Sequence, residues 1–156
     1  GTAWAAPITL KTMAGKFGNG IVVDTDNRVH ISFYEMNAGD LYYATASSSG
    51  GAFTLTLVDP AGLAGWFSSI ALDSDKRPYI VHYDFSIDKI KFAFRTSSGV
   101  WKTMFITDTG LTLNSNSNST AMVRTPAGGG NPELIHAIWP LGANLVKAAY
   151  LKNAAD

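Results

Sequence analysis

The chain has 156 residues, 46% apolar and 12% aromatic, which suits one packed globular domain rather than a disordered segment. Twelve basic against twelve acidic residues give zero formal charge, which argues against nucleic acid or an anionic membrane as partner, and no apolar run approaches the ~20 residues that cross a bilayer. Without cysteine there is no disulfide, thiolate metal site or thiol nucleophile; the compartment stays open, and the Gly1 start is compatible with a removed leader.

Residues 4–12, WAAPITLKT, begin on an aromatic and lead to a turn, and they read as a strand. Residues 22–35, VVDTDNRVHISFYE, then recur at 71–84 as ALDSDKRPYIVHYD. Ile21 and Ile70, Asp24 and Asp73, Arg28 and Arg77, Tyr34 and Tyr83 each lie 49 residues apart, and the offset runs ungapped through Leu41/Ile90, Ala44/Ala93 and Asp59/Asp108. A fixed period near fifty marks a solenoid or propeller unit.

Within the second copy every signal is β. Residues 70–72 form a short apolar strand, 73–76 a turn, 79–83 a β-branched and aromatic strand, 90–94 a third strand and 101–106 a fourth. Residues 52–57 are the matching fourth strand of the first copy. A degenerate third copy places strands at 119–123, 133–138 and 145–150, with a longer glycine-rich first hairpin at 126–131, and no fourth strand follows. No segment carries a 3.6-residue apolar period, so helices are not expected. Four antiparallel strands in about 49 residues are one propeller blade.

The core I-A-L-D-S-D-x-R-P-x-I-x-x-Y-D at 70–84, followed by I-K-F-A-F at 90–94, resembles the sequence-repeat β-propellers of bacterial extracellular proteins of unassigned function. The resemblance implies an all-β propeller fold, and a secreted or cell-surface setting, over nearly the whole chain. It implies no activity, because propellers host lectins, hydrolases, lyases and scaffolds alike. Neither a sialidase-type Asp-box nor a blade-closing WD dipeptide is present.

Residues 1–156 are thus expected to form one propeller-forming domain. Residues 1–14 are the fourth strand of the last blade, 15–60 blade one, 61–110 blade two, and 111–156 a blade three lacking that strand. Three blades do not close a ring, and propellers typically have at least four. Several hundred Å² of apolar surface on each bare flank is worth on the order of 10 kcal/mol before association costs. Two copies placed head-to-tail about a twofold axis make a six-bladed ring, in which residues 4–12 complete the partner's third blade. The alternative is a piece of a longer propeller.

Candidate sites are few. Asp24-x-Asp26 and Asp73-x-Asp75 have the spacing of a cation pair but lack the third carboxylate and glycine of a calcium loop, and turn-capping accounts for them. His30 aligns opposite Tyr79, His82 opposite Phe33 and His136 opposite Val81, three different slots, so no metal cluster or cofactor is expected. No nucleophile elbow, zinc helix or phosphate loop appears. On the rim formed by the loops after strands four and two, Phe17 and Trp66 are repeat equivalents, Trp139 and Asn144 fall in a loop of the third copy, and Glu35 and Asp84 end the second strands. Aromatic faces beside carboxylates and amides suit a glycan or another polar ligand, although packing between blades is the competing role. The expected function is a non-enzymatic binding module. The alternatives are a polysaccharide hydrolase or lyase using Glu35 or Asp84 at the channel mouth, and a scaffold. The sequon at 118–120 lies in an Asn/Ser run read as a polar loop.

Overall fold

The computed structural model describes residues 3, 5–47, 51–106, 119–130, 132–141 and 145–152. Among them are eleven strands in three antiparallel sheets and no helix. Sheet one is β1 (Ala14–Val23), β2 (Val29–Glu35), β3 (Asp40–Ala46) and β4 (Phe53–Asp59). Sheet two is β5 (Ala64–Leu72), β6 (Pro78–Asp84), β7 (Lys89–Arg95) and β8 (Trp101–Phe105), and sheet three is β9 (Ala121–Thr125), β10 (Leu134–Leu141) and β11 (Leu145–Lys152). Each sheet runs in sequence order, so the all-β expectation holds and the repeats correspond to sheets.

The first hairpins explain why the repeat is so well kept there. Asp24 Oδ1 accepts from the backbone N–H groups of Asp26 (2.8 Å) and Arg28 (2.9 Å), and Asp73 Oδ1 does the same for Asp75 (2.9 Å) and Arg77 (2.8 Å). Asn27 and Lys76 take the left-handed conformation that closes each turn (φ 60° and 63°). The acidic pairs are therefore turn chemistry, and no group of His, Asp and Glu among the described residues has a metal-holding arrangement.

The sheets pack face to face through their first strands, β1 on β5 and β5 on β9. The approach is close: a side chain at Gly20 would meet the Ile70 backbone nitrogen at 2.8 Å, and one at Gly65 the Leu41 Cα at 2.9 Å. Leu41, Tyr43, Val58, Ile70, Ile80 and Ala93 fill the space between sheets one and two, with Trp101 against them. Val81, Tyr83, Ile90, Ala137 and Trp139 fill the space between sheets two and three. All seven residues of β6 are buried because both of its faces are covered, which is why Tyr79, Ile80 and Val81 follow one another without apolar–polar alternation.

The outer sheets differ. Ile21 and Val23 of β1 are 68% and 54% exposed, whereas Ile70 and Leu72, 49 residues later, are 6% and 8% exposed. Val123, Ile138, Val146 and Tyr150 lie exposed on sheet three. Residues 5–12, expected as a strand together with Trp4, join none of the three sheets; Lys11 Nζ lies 4.5 Å from the Tyr42 ring centroid, beside sheet one. Trp4 itself lies outside the described residues.

Candidate functional site

At the end of the sheets where β4 turns into β5 and β2 into β3, the chain builds an aromatic stack. The Phe17 and Trp66 rings lie 3.9 Å apart at 22°, and Trp66 and Phe85 4.5 Å apart at 18°. Tyr34 and Tyr83 meet Trp66 edge-on at 5.9 and 6.5 Å. Register breaks in β1 between Ala14 and Asn19, and in β5 between Ala64 and Ser69, lift these rings to the rim. Phe17 and Phe67 sit at φ 65° and 55°, a conformation that costs bulky residues of order 1 kcal/mol or more.

The expected site residues thus divide. Phe17 and Trp66 do come together, but as a stack in which both faces of Trp66 are covered. The ring left open at this rim is Phe85, 44% exposed, in the turn after β6. Phe85 lies directly after the Asp84 that the repeat singles out, and a loop aromatic beside a repeat-conserved carboxylate was the available signal. Trp139 is not in a loop: it lies within β10, 2% exposed, in the core between sheets two and three. With Met122 in the Ile70 position, Ala137 corresponds to Ile80 and Trp139 to His82 of β6, which is buried in the same way. Asn144 and the Asn118 sequon lie outside the described residues.

Glu35 and Asp84 play the same part in their own sheets. Glu35 accepts from the backbone N–H of Asn37 (2.9 Å) and Ala38 (3.0 Å), and these bonds hold its carboxyl below the usual carboxylate range. Asp84 Oδ1 accepts from Ser86 N (3.0 Å) and Ser86 Oγ (2.6 Å). Both are buried and both cap the turn that follows, an arrangement unlike a proton-sharing acid/base pair. Asp84 Oδ2 also accepts from Lys91 Nζ (3.2 Å), which is paired with Asp59 of sheet one as well. His82 lies 3.6 Å from Asp59 Oδ2, wholly buried, and burial pushes its imidazole down to about 4. This dry cluster ties sheet two to sheet one.

The histidines fall into two slots rather than three. Ser69 Oγ accepts from the Met122 backbone, as position 20 abuts Ile70, so Met122 occupies the Ile70 slot. Met122 pairs with Ala137 as Ile70 pairs with Ile80, which sets His136 in the Tyr79 slot shared by His30. His136 Nε2 meets Thr125 Oγ1 at 3.0 Å, and His30 Nε2 meets Asp24 Oδ2 at 3.4 Å. The two sit in separate sheets and form no cluster among the described residues.

No family model matches the chain, and no curated protein matches it.

Proposed function

We propose that the three sheets are blades of a β-propeller, that a second copy of the chain closes a six-bladed ring, and that the ring is a binding module for a glycan or another polar ligand. The reading rests on one observation. Positions that the repeat makes equivalent are buried where a neighbouring sheet is present and bare where it is absent, as with Ile70 and Leu72 against Ile21 and Val23. The bare flank of sheet one is the flank by which sheet two contacts sheet one, and that of sheet three is the one sheet two turns toward sheet three. Each therefore fits the other as adjacent sheets already do, and a head-to-tail pair uses both.

The edge of sheet three supports the same reading. Strand β11 has no partner on its outer side among the described residues, and a cavity of about 280 Å³ lies beside it. In sheet two, Trp101 pairs opposite Arg95 and meets Tyr43 of sheet one edge-on at 5.3 Å. The corresponding residues are Leu151 on β11 and Phe92 on sheet two, and both line the cavity. A fourth strand made from the partner's residues 4–12 would carry Trp4 into that space.

Ligand binding belongs to the rim with the Phe17–Trp66–Phe85 stack. Phe85 with Leu63 and Ile87 offers apolar surface to sugar C–H groups, and the strained backbone at Phe17 and Phe67 is the kind that persists at binding sites. The capped and buried states of Glu35 and Asp84 favour binding over hydrolysis. Light scattering on the purified chain tests the ring: the expected mass is twice 16.6 kDa. A monomer at micromolar concentration, or a mass other than twice the chain, overturns it. A glycan array with the Phe85→Ala variant tests the ligand, and an absence of binding across a broad panel leaves a scaffold.

A further inference from the structure

At the opposite end of the sheets, where β1 turns into β2 and β3 into β4, the junction of sheet one differs from that of sheet two in a way that leaves the Arg28 guanidinium without a carboxylate partner among the described residues. In sheet two the pattern is closed. Asp73 Oδ2 accepts from Arg77 Nε at 2.6 Å and from the Tyr79 hydroxyl at 3.1 Å, so the arginine after the turn is locked onto its own hairpin. In sheet one the equivalent oxygen of Asp24 is met by His30 Nε2, which stands in the Tyr79 slot. Arg28, the counterpart of Arg77, is left with no carboxylate partner among the described residues. His30 in turn holds the Tyr43 hydroxyl on Nδ1 at 2.6 Å, where sheet two has Phe92. Two exchanges, Tyr to His and Phe to Tyr, thus replace a sealed corner by a polar one.

The corner opens into a cleft of about 340 Å³ between sheets one and two, lined by Arg28, His30, Tyr43 and Thr45 on one side and by Arg95 and Thr96 on the other. Arg95 gives its Nε to the Gly99 carbonyl at 3.0 Å and has no carboxylate partner among the described residues. The acids lining the cleft are engaged: Asp24 with two backbone N–H groups and His30, and Asp75 with Arg77. Two guanidinium groups facing one cleft with a tyrosine and a threonine hydroxyl match a carboxylate on a hydroxylated skeleton, because the guanidinium fork meets a carboxylate with two parallel bonds. We propose that this cleft binds the carboxylate of a small sugar acid, with Arg28 and Arg95 on the charge, the half-buried Thr45 hydroxyl on an adjacent oxygen, and the buried His30–Tyr43 pair as the polar wall behind them.

Every group named comes from one chain, so the site is independent of ring closure and lies at the opposite end from the aromatic rim. Calorimetric titration of the protein with glucuronate, glucose and acetate tests it, with thermal unfolding as the check on folding. Glucuronate is expected to bind, glucose not to bind, and acetate to bind more weakly than glucuronate. Arg28→Gln and Arg95→Gln each weaken glucuronate binding about tenfold, the effect of losing one charge-assisted contact. Tyr43→Phe, a residue the fold already accepts in the equivalent slot at Phe92, weakens it several-fold. The proposal is overturned if glucuronate does not bind, if the double arginine variant binds it as tightly as the parent, or if glucose or acetate matches it.

Discussion

Lys91 is a cation in a nearly dry place, its ammonium group between Asp59 of sheet one and Asp84 of its own sheet. Removing it leaves two buried carboxylates without a counter-charge, so Lys91→Met is expected to cost about 3–5 kcal/mol, read from chemical denaturation. Beside it, His82 is held neutral by burial, with its imidazole pushed down from the ordinary value to about 4. The unfolded chain takes up a proton near pH 6.5 and the folded chain only near 4. Stability is therefore complete above pH 6.5 and falls as pH drops between those values, by on the order of 3 kcal/mol at most. His82→Phe, which copies Phe33 from the first repeat, is expected to flatten that limb of the stability–pH curve measured by thermal unfolding; an unchanged slope would assign the acid sensitivity elsewhere. The Asp-x-Asp turns were legible residue by residue, because their chemistry is local. The Lys91 cluster was not, since Asp59 and Lys91 are brought together only by the packing of one sheet on another.

Strand boundaries follow the same division. Expected strands at 79–83, 90–94 and 101–106 appear as Pro78–Asp84, Lys89–Arg95 and Trp101–Phe105, because β-branched and aromatic runs between turn residues leave little choice. The expected strand at 70–72 begins at Ala64 instead. Its first half, AGWFSS, carries register breaks and left-handed residues that destroy the two-residue alternation. The register of sheet three was hidden for a different reason: the third copy lacks the Asp-x-Asp turn that aligns the first two, so nothing local fixes where its strands begin. At this scale the open edge of β11 is the testable feature. If residues 4–12 of a second copy pair with β11 as proposed, deleting residues 1–12 is expected to leave that edge unpaired and to produce aggregation in light scattering. A truncated protein of unchanged mass and solubility would remove those residues from the ring.

For the molecule as a whole, the decisive quantity is the apolar surface on the two flanks. Ile21 lies on one of them, 68% exposed here and covered in the proposed ring. If the proposed dimer forms through this flank, Ile21→Glu is expected to convert it to a monomer without unfolding the sheets, since a charge at a covered contact costs several kcal/mol while the same charge on a wet face costs little. Sedimentation together with circular dichroism reads both outcomes, and a variant that stays dimeric places the contact elsewhere. Arg28→Gln, by contrast, is expected to leave the mass alone.

The repeat by itself determined the all-β class, the number of units and most of the strands, because a copied pattern of turns and apolar runs carries its local structure with it. It also paired Phe17 with Trp66 and Glu35 with Asp84 as equivalents. Only the tertiary structure decided what those equivalents do: the sandwich that hides Trp66, the burial of Trp139, the capped carboxylates and the corner where Arg28 is released. The reason is distance along the chain. Hydrogen bonds within a turn are set by neighbouring residues, whereas burial and charge pairing between sheets join positions tens of residues apart, and one difference such as His30 against Tyr79 alters the outcome without altering the strand.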